Sequence, residues 1–228
     1  MVSKFIRRSG ISVCLIADLL QWVPDAVVQV GVGCNPEETA VFLDAWPDVS
    51  IIGFEANPQC YKAAVNNYPG RLIQLAVSSQ PQQGVELFVP PRHKDGSSLY
   101  QFDALDNPHT ETTDVTSLDV WFADKPLPSN KTLLWLDCEG SELDVLHGAV
   151  KFIDQIECVN VEMTAKPVGS NWCDSNQVHD YLLGLGFKRQ WVHTQRTSAG
   201  QCDAIYVRPE LFKAEFCCCP CQITKDVQ

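Results

Sequence analysis

The stretch that decides the fold is LLWLDCEGSEL, at residues 133–143. Its first four residues are large and apolar, which is typical of a strand buried on both faces of a parallel sheet. Two acids, Asp137 and Glu139, follow directly, so the strand delivers them to its carboxyl end. Glu142 falls in the first turn of the predicted helix, where the helix dipole alone explains an acid. The stretch therefore predicts a strand–loop–helix unit of an α/β protein, with ligand-binding residues at the strand end.

Two similar units precede this stretch. Residues 27–32 form an uncharged, β-branched run that ends in the turn glycines Gly31 and Gly33. Residues 50–54 form a second such run, and a helix with a proline near its start is predicted after each of the two. This repetition predicts parallel strands joined by right-handed helical crossovers.

The rest of the chain continues the alternation of strands and helices. The further predicted strands are residues 71–77, 85–89, 132–136 and 158–163, the further helices are residues 141–150 and 175–183, and residues 187–193 with 204–208 are a closing antiparallel pair. Residues 90–113 are polar and predict a long functional loop. We therefore expect an α/β fold with a doubly wound, mostly parallel sheet and helices on both faces.

Length and charge exclude several classes of protein. A chain of 228 residues with 45% hydrophobic content predicts one domain. It contains no apolar run of the roughly 18 residues that a membrane-spanning helix needs. The net charge of −11, with no cluster of basic residues beyond the first eight, argues against a nucleic-acid partner. Residues 95–162 hold fourteen acids and three bases, which favours a neutral or cationic ligand there or, equally, a solvated acidic face.

The two ends of the chain carry separate features. Lys4, Arg7 and Arg8 precede an apolar run, but Asp18 interrupts that run and no cleavage site follows, so a secretory signal is not predicted. Eleven cysteines, mostly scattered singly, favour a reducing environment, and we expect a cytoplasmic protein. Near the C-terminus, four cysteines lie close together: Cys217, Cys218, Cys219 and Cys221. This tail has three possible interpretations: a flexible end without function, a soft-metal or redox site, or an acylation cluster that tethers the protein to a membrane.

A nucleoside-type ligand fits the first two units. Gly31 and Gly33 allow a backbone to approach a ligand closely, but Pro36 replaces the third glycine of a dinucleotide fingerprint. Glu55 lies at the end of the second strand, where an acid can accept hydrogen bonds from both hydroxyls of a ribose. The alternative for Glu55 is a surface carboxylate beside the helix cap at Asn57.

Four motifs together resemble the FkbM-type S-adenosylmethionine-dependent methyltransferases. They are VQVGVG at residues 28–33, GFEANP at 53–58, LDCEGSE at 136–142 and VLHGA at 145–149. The resemblance runs from about Val27 to Arg208 and implies a class I methyltransferase fold, which is Rossmann-like, with a seven-stranded sheet and a C-terminal antiparallel hairpin. We accordingly expect a helical lead-in at residues 1–26, a methyltransferase domain at 27–208 and a cysteine-rich tail at 209–228.

The resemblance also implies S-adenosylmethionine as cofactor and a role for each matching residue. Gly31 and Gly33 would lie against the methionine part, and Glu55 would hold the ribose. Ala76, Val77 and Ser78 would border the adenine. Ser97 and Ser98 would belong to a loop that closes near the cofactor. Asp137 and Cys138 would flank the sulfonium. Gln29 stands where the family usually has an acid, and Ala56 where it has a proline.

The resemblance makes an O-methyltransferase acting on a small-molecule or sugar hydroxyl the leading hypothesis. An alcohol needs a base, and Asp137 and Glu139 would act as bases directly or hold a divalent cation that lowers the hydroxyl pKa. The sequence does not choose between these, and no residue is assigned as a metal ligand. Two alternatives stay open: a non-catalytic cofactor-binding module, which Gln29 favours, and a nicotinamide-dependent oxidoreductase, which Pro36 disfavours. The acceptor and the oligomeric state are beyond the sequence.

Overall fold

The computed structural model describes residues 12–91, 93–103, 109–125, 127, 129, 131–194 and 200–214. The strands in this part of the chain are β1 (Ala26–Val30), β2 (Ser50–Phe54), β3 (Arg71–Ile73), β4 (Ala76–Val77), β5 (Gln82–Val89), β6 (His109–Thr116), β7 (Thr132–Leu136), β8 (Ile156–Thr164), β9 (Lys188–Thr194) and β10 (Gln201–Val207). The α-helices are α1 (Glu37–Ala45), α2 (Pro58–Ala64), α3 (Leu118–Phe122), α4 (Glu142–His147) and α5 (Ser175–Gly184). Shorter turns are a π-helical turn at Leu15–Leu19 and 3₁₀ turns at Lys94–Gly96, Phe152–Gln155 and Pro209–Leu211. None of the helices described is long and apolar enough to cross a membrane.

Seven strands form the central sheet in the order β3-β2-β1-β7-β8-β10-β9. In this sheet, the five neighbouring strands β3, β2, β1, β7 and β8 are parallel to one another. Strand β10 lies between β8 and β9 and runs antiparallel to both. This arrangement confirms the predicted seven-stranded, mostly parallel sheet with a C-terminal antiparallel hairpin. The order also makes β1 and β7 neighbours, which brings the first glycine turn beside the acids that follow β7.

A second sheet of three strands, β4-β6-β5, was not predicted. Residues 71–77, expected as one strand, divide between the two sheets, because Ile73 pairs with Phe54 whereas Ala76 pairs with Val115. The prediction that residues 90–113 are irregular was wrong for its last part, where β6 begins at His109. The residues of β6 are polar, and only one face of the strand is buried, so its sequence lacks the apolar run that marked the other strands.

Side-chain caps explain where three of the helices start. The Ser117 side chain accepts a hydrogen bond from the Val120 amide at the start of α3, at 3.3 Å. The Asn57 side chain accepts a hydrogen bond from the Gln59 amide at 2.8 Å, as the Asn-Pro pair predicted. Asp174 and Gln177 form a reciprocal capping box at the start of α5. The start of α1 has no side-chain cap, and Asn35, just before it, donates its side-chain amide to Glu37 at 2.7 Å.

Helices and loops cover both faces of the central sheet with apolar side chains. One face, with Val28, Leu134 and Val159, packs against residues of α3, α4 and α5. The other face, with Val27 and Leu133, packs against α1 and the N-terminal segment. Because neighbouring residues of a strand point to opposite faces, each central strand needs apolar residues at almost every position, which is why these runs were readable in the sequence.

Both ends of the described chain contribute to the second of these cores. Ile16, Leu20 and Trp22 are buried in it. Leu211 and Phe212 pack against it, and the backbone of Lys213 exchanges two hydrogen bonds with the Gln190 side chain, at 2.9 and 2.8 Å. The contacts of the described chain thus continue past position 208 as far as Lys213. The four tail cysteines lie outside the described residues.

These contacts predict different outcomes for two truncations. Ending the chain after Ala214 should leave the melting temperature unchanged. Ending it after Arg208 should lower the stability by about 2 kcal/mol, since it exposes the apolar surface that Leu211 and Phe212 cover. Thermal unfolding of both truncated proteins beside the full chain measures the difference, and an equal melting temperature for all three would show that residues 209–214 contribute nothing.

Candidate active site

The parallel register brings the predicted site residues to one edge of the central sheet. Leu136 pairs with Val161, so Asp137 and Glu162 come next in their strands at the same edge. Gly31 follows β1 in the same way, and its amide donates to the carbonyl of Phe54, directly before Glu55. The carboxyl ends of parallel strands are where α/β proteins bind their ligands.

Gly31 is required by the approach of β7. It has a left-handed backbone, with φ of +83°, and a Cβ built on it would lie 1.7 Å from the carbonyl oxygen of Asp137. Any other residue would push the two strand ends apart. The glycine turn therefore fixes the position of Asp137 relative to β1.

Glu55 holds the glycine turn through its carboxylate. One oxygen, Oε2, accepts the backbone N–H groups of Val32 at 3.1 Å and Gly33 at 2.7 Å, and Oε1 accepts that of Asn57 at 2.7 Å. Burial raises the pKa of Glu55, although the three backbone donors act in the opposite direction. Glu55 is thus not the surface carboxylate of the alternative interpretation: it is 6% exposed and joins β1 to β2.

An inner cavity opens above these strand ends. Its lining includes Gly31, Glu55, Ala76, Val77, Ser97, Asp137 and Cys138, all expected around the cofactor. Three other expected residues, Gly33, Ser78 and Ser98, are not in that lining. Leucines complete the apolar wall beside Ala76 and Val77, namely Leu75, Leu87 and Leu99. The inner cavity therefore combines an apolar slot with a carboxylate at one end.

The segment from His93 to Ser98 contributes to the lining of both cavities and is fixed on three sides. Asp95 accepts the Cys34 amide at 2.6 Å, and Ser97 accepts from the Asn57 side chain at 2.9 Å. Ser98 is buried and donates its hydroxyl to the carbonyl of Glu139 at 2.7 Å. Ser98 therefore anchors the segment, whereas Ser97 is the serine that faces the inner cavity.

A larger acidic cavity of about 750 Å³ adjoins the inner one. Gly31, Asp95 and Asp137 line both. Six carboxylates line the larger space, namely Glu37, Glu38, Asp95, Asp137, Glu139 and Glu162, and Gly33, His93 and Gln201 are among its other lining residues. Glu37 and Glu38, which the first helical turn alone would explain, therefore also face a cavity.

Three of these acids form a compact group. The carboxylates of Asp137, Glu139 and Glu162 offer oxygens that all lie within 4.8 Å of one another. Burial raises the pKa of Asp137, and the charges of Glu162 and Glu139 and a hydrogen bond with Glu162 raise it further. Burial and the charges of Glu162 and Glu142 raise the pKa of Glu139 to about 8. Like charges this close favour a shared proton or a bound cation.

The loop after β7 is built to hold these acids. Glu139 adopts a left-handed backbone with φ of +51°, a conformation that is costly for a residue with a Cβ, and Gly140 follows with φ of +95°. Glu142 is buried and accepts the amides of Cys138 at 3.2 Å and Gly140 at 3.1 Å. Glu142 is therefore a structural residue of the loop, and the turn that it closes directs Asp137 and Glu139 into the acidic cavity.

Comparison with known proteins identifies the family. The model of the methyltransferase FkbM domain matches residues 29–189, which is more than two thirds of the chain. The chain belongs to the FkbM methyltransferase family.

Solved structures agree at the level of the fold. A Klebsiella pneumoniae protein assigned as an O-methyltransferase superposes with a TM-score of 0.53 and 9% identity, over 91% of this chain and 83% of that chain. The METTL16 methyltransferase domain superposes with a TM-score of 0.50 and 9% identity, over 86% of this chain and 66% of that chain. No curated protein sequence matches the chain.

Two features of the site, Asp95 and a disulfide beside it, were not predicted from the sequence. Cys34 and Cys60 are disulfide-bonded, a pair that their separate positions in the sequence did not suggest. Asp95, which lines both cavities, lies in a polar stretch without a distinctive motif. Glu162 could be foreseen from its place at the end of a predicted strand.

The raised pKa of Glu139 predicts how stability depends on pH. The folded protein favours the protonated carboxyl, so this contribution is full below about pH 4.5 and is lost as the pH rises through about 8. Replacing Glu139 by glutamine removes the contribution. Urea unfolding at pH 5, 7 and 9 should therefore show a smaller loss of stability with rising pH for Glu139→Gln than for wild type, and parallel curves would show that Glu139 is solvated in the folded state.

Proposed function

We propose that this FkbM methyltransferase transfers a methyl group from S-adenosylmethionine to a hydroxyl of a small molecule or sugar in the acidic cavity. The observation that carries the proposal is the position of Asp137, which lines both cavities. A group between donor and acceptor is where a methyl transfer needs alignment and a base.

The inner cavity has the chemistry that the cofactor needs, but its volume of about 40 Å³ is too small for S-adenosylmethionine, so the His93–Ser98 segment would have to move for the cofactor to enter. Ala76, Val77 and the neighbouring leucines would contact the adenine, and Glu55 would accept hydrogen bonds from the ribose. Gly31 and Asp137 would flank the methionine end. When bound, S-adenosylmethionine supplies an electrophilic methyl group on a positively charged sulfur. A positive charge beside Asp137 would lower the pKa of this carboxyl and so favour its ionised form.

The chain's own residues would then manage the acceptor proton. Asp137 and Glu162 are hydrogen-bonded, so one of the two already carries a proton and the other, ionised, would take the proton of the acceptor hydroxyl. Glu139, at the same edge, would hold the acceptor or take the proton itself. The His93–Ser98 segment would exclude water from the inner cavity.

The charge of the acidic cavity bears on the acceptor class. Those carboxylates of the acidic cavity that are ionised would repel a phosphate-rich acceptor, whereas hydroxyl groups and cations would be stabilised by hydrogen bonds and charge. A sugar or another small hydroxylated molecule is therefore our proposed acceptor, in preference to a nucleic acid.

The role of the acids has a metal-dependent variant. The spacing of Asp137, Glu139 and Glu162 also suits a divalent cation, which would lower the hydroxyl pKa in place of a base. Turnover that survives extensive treatment with a chelator would favour the direct base, and turnover restored by Mg²⁺ after chelation would favour the cation.

The non-catalytic alternative loses its main support. Gln29 is buried, accepts a hydrogen bond from the Tyr68 hydroxyl at 3.1 Å and lies outside the lining of both cavities. The family usually has an acid at this position, but the glutamine removes no carboxylate from the acidic cavity, because residue 29 does not line it.

Transfer of label from methyl-labelled S-adenosylmethionine tests the proposed function. The acceptor panel should contain sugars, small phenols and alcohols, amines and an RNA. Label in a hydroxyl compound supports the proposal, label in an amine or the RNA contradicts the proposed acceptor, and the absence of transfer to any class contradicts the activity.

A further inference from the structure

We propose that Cys34 and Cys60 form a reversible disulfide that controls the affinity of the protein for its cofactor. The proposal rests on the proposed function, because it concerns the loop that would hold S-adenosylmethionine. Its starting point is the disulfide itself, which joins residues 26 positions apart on either side of Glu55.

The disulfide connects the two segments that the Glu55 carboxylate also connects. Cys34 directly follows Val32 and Gly33, whose amides bind Glu55 Oε2. Cys60 lies in the first turns of α2, and Asn57, the cap of that helix, binds Glu55 Oε1. A covalent bond between these segments therefore keeps the glycine turn on Glu55 before any ligand arrives.

Asp95 connects the disulfide to the His93–Ser98 segment. Its Oδ1 accepts the Cys34 amide at 2.6 Å and lies 3.7 Å from the sulfur of Cys60. After reduction, the Cys60 thiol becomes a second hydrogen-bond donor to this oxygen, which can accept from the thiol and from the Cys34 amide together. Reduction therefore removes the covalent link between the two segments, while Asp95 stays in contact with both cysteines.

The different burial of the two sulfurs sets the direction of exchange. Cys60 is fully buried, whereas Cys34 is partly exposed next to Gly33 and Asn35 of the acidic cavity. A small thiolate can attack the Cys34 sulfur, and the Cys60 sulfur then leaves and takes up a proton. A second thiolate attacks the mixed disulfide and releases the Cys34 thiol together with a small disulfide. In the reverse direction, one small disulfide takes two electrons from the pair and leaves as two thiols.

An ordered glycine turn should bind the cofactor more tightly, because the reduced protein must order the turn on binding. We expect S-adenosylhomocysteine to bind on the order of tenfold more weakly after reduction. By reciprocity, saturating S-adenosylhomocysteine should then lower the reduction potential of the pair by about 30 mV, the value for a tenfold change in a two-electron couple.

The test titrates the full chain with S-adenosylhomocysteine by calorimetry, in buffers of reduced and of oxidised glutathione. Mass spectrometry after alkylation establishes whether Cys34 and Cys60 are linked in each buffer. The double variant Cys34→Ala/Cys60→Ala should bind equally in both buffers. Cys14→Ala, which removes an exposed thiol elsewhere, should respond as wild type does. If the double variant does not fold, Cys34→Ser alone provides the form without a disulfide.

The outcomes separate this inference from the proposed function. Weaker binding by the reduced wild type, with no redox response in the double variant, supports the inference. Equal and measurable binding by the linked and reduced forms overturns it and leaves the proposed function intact. If mass spectrometry finds Cys34 and Cys60 unlinked in both glutathione buffers, the inference is also overturned. No binding in either buffer overturns the proposed cofactor, and the inference with it.

Discussion

Replacing Asp137 by asparagine is expected to lower kcat by about 10²- to 10⁴-fold, the range for loss of a general base. Asp137 lines both cavities and shares a hydrogen bond with Glu162, so its carboxylate is the group best placed between donor and acceptor. Asparagine keeps the shape but cannot take a proton. The affinity for S-adenosylhomocysteine should change only a few-fold, because the proposed contacts to adenine and ribose remain.

Steady-state kinetics with the acceptor found in the labelling panel, together with calorimetry, measure the two effects. Glu139→Gln should also lower kcat, and Asp114→Asn, an acid of the small sheet that lines neither cavity, should leave it unchanged. Near-normal turnover by both Asp137→Asn and Glu139→Gln would make the acid pair structural. A selective loss of cofactor affinity would instead place Asp137 in the binding site alone.

Replacing Glu55 by alanine is expected to weaken the binding of S-adenosylhomocysteine by about 10- to 150-fold. That range corresponds to the roughly 1.5–3 kcal/mol of hydrogen bonds to a charged group. The Glu55 carboxylate would accept from the ribose and also holds the amides of Val32 and Gly33, so its loss acts on both the ligand and the glycine turn. The melting temperature should fall as well.

Asp119 provides a matched control for Glu55. Its carboxylate also accepts backbone amides, those of Lys151 and Phe152, but it lines neither cavity. Asp119→Ala should therefore lower the melting temperature without changing the cofactor affinity. Calorimetry that finds the same affinity for Glu55→Ala as for wild type would remove Glu55 from the binding site.

The central sheet was predictable from the sequence because its strands are buried on both faces. The residues of β1 and β7 are apolar at almost every position, and such runs have few other interpretations. In contrast, β6 has one exposed face and a polar sequence, and its residues 109–113 were predicted as part of a loop. The site acids Asp137 and Glu139 were also predictable, because both directly follow a predicted strand. Glu162 lies near the end of another predicted strand, residues 158–163.

Contacts between distant segments could not be predicted in the same way. Asp95 binds the backbone of Cys34 from 61 positions away, and neither residue belongs to a motif that indicates the other. The Cys34–Cys60 pair depends on how the glycine turn packs against α2. Ser97 and Ser98 were expected to act together, yet the turn of the chain leaves only Ser97 facing the inner cavity.

The most direct test of the account is a calorimetric titration of the full chain with S-adenosylhomocysteine, beside an identical titration with NAD. A methyltransferase with its cofactor at the ends of β1, β2 and β7 predicts saturable binding of one S-adenosylhomocysteine per chain and no heat with NAD. No binding of S-adenosylhomocysteine, or saturable binding of NAD in its place, would contradict the account.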